Sequence, residues 1–243
     1  MMGNRYNKKP RQKDEGEKPF WISFADLMTA LMTLFLVVMA VSLMVVTKEI
    51  NAATQAEEER RAEILDICES IKNDPTLTNQ PITVDCKDNR INFGEAGRFG
   101  HNDYRLNETG ITALNALVPV ILQAANSENS EKWLKQIVIE GFTDTDGAYL
   151  YNLNLSLRRS EWVMCSLLDP TFNQALNLTD AQKNQIKQLF LAGGVAFNAA
   201  KDSKEASRRV ELRMQFYGLK EKDTAETQPV FESAPIEICQ LVR

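Results

Sequence analysis

Histidine is almost absent from the chain: His101 is the single one in 243 residues, and no two of the four cysteines form a C-x-x-C pair. A structural zinc site or a histidine-based catalytic triad therefore has little to be built from. No nucleophile–base pair stands out and no cofactor motif occurs, so an enzyme is the least expected class. Positive charge is also short, with 28 Lys and Arg against 33 Asp and Glu. The acidic portion beyond residue 47 lacks the basic stripe that nucleic acid binding requires. Internal repeats are missing as well.

What the chain does have is one long apolar run. Over the twenty-seven residues from Phe20 to Val46, Asp26 is the only side chain charged at neutral pH. A helix of that length, at about 1.5 Å per residue, exceeds the roughly 30 Å hydrocarbon core of a bilayer, so it reads as one transmembrane span. A carboxylate inside such a span costs on the order of 3 kcal/mol, which makes Asp26 the first functional candidate. Helical spacing puts Ser23, Asp26, Ala30, Thr33, Val37 and Ala40 on one small and polar face, suited to other protein helices. Leu27, Leu31, Leu34, Phe35, Val38 and Val41 cover much of the rest, and Trp21 stands where an interfacial anchor belongs. The alternative, a polar residue near the end of a signal anchor, leaves the continuation of the polar face unused. A cleaved signal peptide has an apolar core of about 7–15 residues, shorter than this one. The segment before the run carries Arg5, Lys8, Lys9, Arg11, Lys13 and Lys18. The positive-inside rule then expects a cytoplasmic N-terminus, a single pass, and everything after Thr47 outside.

An extracytoplasmic location lets Cys68, Cys86, Cys165 and Cys239 oxidise. We expect two disulfides, Cys68–Cys86 and Cys165–Cys239. The first pins a helix to a strand, worth about 3 kcal/mol in the chain-entropy picture, and the second holds the tail to a long helix.

Five segments follow from composition: an N-terminal tail (1–19), the span (20–46), a linker helix (47–80), a domain (81–217) and a C-terminal tail (218–243). Residues 48–72 contain no Gly or Pro and end at Asp74-Pro75, so the helix should run on beyond the span. Residues 82–94 read as a hairpin around Lys87-Asp88-Asn89, and 109–125 as a helix with Pro119 as a possible kink. Ile137–Phe142 reads as a strand and Tyr149–Leu168 as a long helix. A helix around 181–191, a short strand at 195–200 (VAFNAA) and a strand over 208–217 complete the domain. That order is an α/β sandwich, a mixed sheet with helices on one face.

The chemistry gathers in Gly141–Val163, GFTDTDGAYLYNLNLSLRRSEWV. Asn152, Leu155 and Arg159 share a helix face beside Asp144 on the preceding turn. A carboxylate for an amine and a guanidinium for a carboxylate suit a zwitterionic ligand end. An ordinary capped turn with solvated arginines is an equal reading from these residues alone. Asp144, Asp146 and Gly147 suggest a calcium loop, but its twelfth position is Leu155 rather than Glu, so no metal is expected.

This segment resembles the signature of OmpA-like peptidoglycan-binding domains, and ASRRVELRM (206–214) resembles their closing strand. Residues 19–43, PFWISFADLMTALMTLFLVVMAVSL, are similar to the N-terminal helix of MotB-type stator subunits, with Asp26 at the ion-carrying position. Finding both motifs in this order is more specific than either alone. The binding acid falls on Asp144 and the binding arginine on Arg159, with Tyr151, Asn152 and Leu155 at matching positions. Phe142 replaces a common histidine, and Ser207 the usual asparagine before the paired arginines. The short connector, the insertion 169–194 and the cysteines resemble the B subunits of Zorya anti-phage defence systems more than flagellar MotB. The resemblance implies an ion-driven rotary motor in the bacterial inner membrane. It implies a B homodimer within five copies of a MotA-like (ZorA-type) multi-pass subunit, a periplasmic domain held by peptidoglycan, and a proton or sodium as the transported ion. A flagellar stator subunit and a passive membrane-to-wall tether are the competing readings.

Overall fold

The computed structural model describes residues 18–221 and 238–241. The basic N-terminal segment and most of the expected tail lie outside the described residues. Helix α1 (Lys18–Lys72) runs unbroken. Two units divide the chain, one ending at Gln55 and the other beginning at Ala56. In the first, the side chains of residues 21–46 are exposed all round, as an apolar helix is before lipid or partner helices cover it.

In the second unit, the last turns of α1 bury Ile67, Cys68 and Ile71 in the core. Asp74 ends this stretch by accepting from the Thr76 N–H at 2.9 Å and capping a 3-10 turn, Pro75–Leu77. The expected hairpin is formed by β1 (Thr83–Asp85) and β2 (Arg90–Asn92), with Asn89 in the left-handed region at its turn. Helix α2 (Glu108–Ala125), capped by Asn107, continues through Pro119 without ending. Helix α3 (Glu128–Trp133), β3 (Leu134–Phe142), α4 (Tyr149–Leu168) and α5 (Asp180–Leu189) follow. A Thr179/Gln182 capping box starts α5. Strand β4 (Phe190–Ala196), α6 (Lys204–Ser207) and β5 (Val210–Phe216) complete the unit.

The sheet order is β1-β2-β5-β3-β4, antiparallel except for β3 with β4. Register explains its two faces. Ile91, Leu212 and Ile139 form one cross-strand row, each wholly buried against residues of α1, α2, α4 and α5. The neighbouring row, Asn92, Glu211 and Glu140, points to the opposite face. There Arg90 donates to both glutamates, and Arg209 and Arg213 add one partner each. The mixed α/β sandwich is thus the expected one.

One strand is displaced from its expected place. The sequence reading put a strand at 195–200, whereas the chain is extended over 190–196 and turns through 197–200. Gly193 and Gly194 fell at the end of the expected insertion, 169–194, rather than in the expected strand. In the fold, a Cβ on Gly194 would lie 2.6 Å from Ser156 Oγ, so the bare backbone is what lets β4 lie against α4. Gly141 on β3 serves the same contact, since a Cβ there would stand 2.0 Å from the Ser156 carbonyl oxygen. Both disulfides are present, Cys68–Cys86 and Cys165–Cys239, joining α1 to the end of β1 and α4 to the segment 238–241.

Candidate ligand pocket and membrane carboxylate

At the end of β3 the chain leaves the sheet through Thr143 and Asp144, turns at Gly147 with φ +91°, and enters α4. Asp144 is buried; its Oδ1 accepts from the Asp146 N–H at 3.1 Å and its Oδ2 from Arg208 Nη1 at 2.9 Å. Burial opposes its charge, but the hydrogen bonds from Arg208 and the Asp146 amide, with the nearby Arg208 and His101 charges, hold its pKa below the usual carboxylate range. One turn into α4, Asn152 donates to the Asp146 carbonyl at 2.7 Å and fixes the turn from beneath.

Arg159 occupies a different position from the open fork that the sequence suggested. It is wholly buried, and its N–H groups donate to the carbonyls of Asp103 (2.9 Å), Phe142 (2.5 Å) and Gly100 (3.3 Å). Its guanidinium also lies over the Phe99 ring at 4.7 Å. Burial pulls its pKa down to about 10, which leaves it charged at neutral pH. Arg159 therefore ties the loop before α2 to the end of β3 as well as lending charge to the site. Phe142, at the place of the common histidine, is buried beneath Arg209, whose guanidinium lies 4.0 Å from the ring centre. Ser207 accepts from the Lys201 N–H and donates to the Ser203 carbonyl, bracing the loop that delivers Arg208.

These residues line a cavity of about 200 Å³, formed by His101, Asn102, Thr143, Asp144, Asp146, Gly147, Tyr151, Asn152, Leu155, Arg159 and Arg208. All five ligand residues expected from sequence meet there. Arg208, Thr143 and His101 were missed. Arg208 follows Asp144 by 64 positions, a separation no local spacing rule reaches, although the closing-strand motif contained it. The Thr143 hydroxyl is buried at the cavity wall without a hydrogen-bond partner. His101, Asp144 and Asp146 stand close enough to suggest a cation site. Both carboxylates already face cations, Arg208 on Asp144 and Lys204 on Asp146 at 2.8 Å, and with Arg159 that charge disfavours a metal. The pocket offers carboxylates, guanidinium groups, a free hydroxyl and the exposed Tyr151 ring, a set for a zwitterionic ligand end.

In the other unit, Asp26 lies on α1, and Thr29 and Thr33 return their hydroxyls to the carbonyls of Asp26 and Ala30. The threonine hydroxyls are thereby satisfied within the helix, as a span in lipid needs. Residues 4–55 match the family model described as membrane MotB of the proton-channel complex MotA/MotB. Along its whole length the chain is 58% identical, over 246 residues, to Zorya protein ZorB of Escherichia coli O139:H28 (strain E24377A / ETEC), covering 99% of that protein. The chain belongs to the ZorB family. Solved structures to which this chain is similar include a putative MotB like protein from Desulfovibrio vulgaris (16% identity, 66% of this chain and 98% of that one, TM-score 0.41). They also include the periplasmic domain of Helicobacter pylori MotB (14% identity, 56% of this chain and 78% of that one, TM-score 0.37). As a ZorB-family member this chain is a MotB-like stator B subunit of a Zorya system, and its Asp26 falls inside the segment shared with MotB.

Proposed function

We propose that the chain is the ion-carrying, wall-anchored B subunit of a rotary membrane motor acting in anti-phage defence. The observation that carries the reading is Asp26, the lone carboxylate of an apolar span that matches the membrane part of MotB. A single helix encloses no ion path, so Asp26 faces a MotA-like multi-pass partner, in five copies around a B dimer. Burial against that partner raises an aspartate pKa, and exposure to water lowers it again, so alternating access lets the carboxyl take up and release a proton. One charge moving through 100 mV yields about 2.3 kcal/mol, enough to drive steps above thermal energy. The chain does no bond chemistry in this scheme. Its N-terminus is cytoplasmic, and the domain beyond the span is periplasmic.

That domain holds the dimer still by binding the peptide part of peptidoglycan, where diaminopimelate presents an amine and a carboxylate. Asp144 meets the amine, and Arg208 and Arg159 supply the positive wall for the carboxylate. Tyr151, Asn152 and Leu155 shape the cavity, and Thr143 offers its unused hydroxyl.

Asp26→Asn tests the motor. The amide keeps size and is easier to place in hydrocarbon than a carboxylate, so insertion and assembly survive while proton exchange is lost. Cells expressing the whole system with Asp26→Asn lose phage protection to the level of an empty vector, with the complex still recovered by purification. Wild-type protection would end the motor reading and leave a passive tether.

A further inference from the structure

Two carboxylates border the ligand cavity, and they are held very differently. Asp144 is buried, with Oδ1 on the Asp146 N–H and Oδ2 on Arg208 Nη1. Asp146 is open to water, and both of its oxygens accept from Lys204 Nζ at 2.8 Å. The Asp146 and Lys204 side chains are 45% and 56% exposed, and an ion pair so exposed holds its partners weakly. The turn does not depend on the Asp146 side chain, since its backbone N–H serves Asp144 and its carbonyl accepts from Asn152. Nor does the loop depend on the Lys204 ammonium. Ser203 Oγ accepts from the Ala206 N–H, and Ser207 donates to the Ser203 carbonyl, so the backbone of α6 stays in place if that side chain swings away.

One polar atom each of His101, Asp144 and Asp146 lies within 4.8 Å of the other two. The centre of a triangle of that size is at most about 2.8 Å from its corners, which is hydrogen-bond distance for an ammonium with three N–H groups to give. With neutral His101, all three corners are acceptors. A bare cation would meet Arg208, Arg159 and Lys204 with nothing to offset its charge. A zwitterion differs, because its carboxylate goes to the guanidinium groups while its ammonium takes the place of one already present.

We propose that Asp146 joins Asp144 and His101 to seat a primary ammonium of the ligand, and that Lys204 is a displaceable stand-in which leaves Asp146 when that ammonium arrives. The inference rests on the wall-peptide reading above and deepens it by naming the second carboxylate and the group that competes for it. Lys204 is thus an internal competitor. Its removal frees both Asp146 oxygens and takes a like charge away from the incoming amine, so binding strengthens where loss of a supporting residue would weaken it.

The test uses the full chain in detergent, titrated with a fluorescent stem peptide whose diaminopimelate amine is free and with the same peptide acetylated at that amine. Wild type prefers the free amine. Lys204→Met binds the free-amine peptide about threefold to fivefold tighter and leaves the acetylated one unchanged. Asp146→Asn binds the free-amine peptide about fivefold to tenfold more weakly and loses most of the preference. Unchanged or weaker binding of the free-amine peptide by Lys204→Met overturns the exchange, and a full preference retained in Asp146→Asn removes that carboxylate from the site. In both cases wild-type preference for the free amine leaves the wall-peptide reading standing. Equal binding of the two peptides by wild type overturns the ammonium site. A wild-type chain that binds neither peptide nor isolated sacculi overturns the wall-peptide reading and this inference together.

Discussion

Arg159 and Thr143 border the same cavity and do opposite work. The arginine gives its N–H groups to three carbonyls and is wholly buried, so its removal strands those acceptors. Arg159→Ala is expected to cost about 3 kcal/mol of stability, and binding to isolated sacculi falls along with the melting temperature. The Thr143 hydroxyl has no partner to lose. Thr143→Val, similar in shape, leaves the thermal melt unchanged or slightly raised, yet weakens sacculus binding about fivefold, near 1 kcal/mol for one neutral hydrogen bond. Measuring both quantities on both proteins separates support from contact. A Thr143→Val protein that binds as wild type removes the hydroxyl from the ligand site. The Asp144–Arg208 pair lies between these cases, since its depressed carboxyl pKa favours the folded state above the ordinary carboxylate range and loses that contribution as pH falls through the lowered value.

The helices and strands differ in how far a sequence betrays them. Helix α4 was readable to its ends because twenty residues of apolar spacing follow a glycine turn and stop before Asp169-Pro170. Helix α3, six residues of ENSEKW, is too short to show a period. Strand β4 was misplaced because its two glycines carry a packing message that local spacing cannot express. The four cysteines allowed three pairings from sequence, and the pairing expected is the one found. Cys68–Cys86 closes a loop of sequence separation 18 and binds the end of α1 to β1. Replacing both cysteines with serine should lower stability by about 3 kcal/mol, and reductant should reproduce most of that loss in the native protein. Calorimetry with and without reductant reads it directly. An unchanged melt would mean that packing of α1 alone holds the helix end in place.

For the molecule as a whole, composition marked a linker helix to residue 80 and a domain from 81, but the folded unit begins at Ala56. The residues that move the boundary are apolar ones on a helix that otherwise reads as a charged spacer. Ile67, Cys68 and Ile71 are buried against the core, and Arg60 donates to the Tyr217 carbonyl at 3.0 Å while its guanidinium faces the Trp133 ring. Glu63 joins the same corner by accepting from Lys132 at 2.7 Å and from the Trp133 indole. A fragment of residues 56–243 therefore keeps its core and both disulfides, and should melt in one cooperative transition and bind sacculi. A fragment of 81–243 exposes the surface those side chains covered and leaves Cys86 unpaired. At about 1.5–3 kcal/mol for each of the two isoleucines, added to the lost disulfide, the deficit reaches roughly 6 kcal/mol, comparable with the whole stability of a domain. The shorter fragment should thus aggregate or bind an apolar dye at temperatures where the longer one is folded. Equal melting temperatures would show that α1 contributes nothing to the domain, and the boundary at 81 would then be correct.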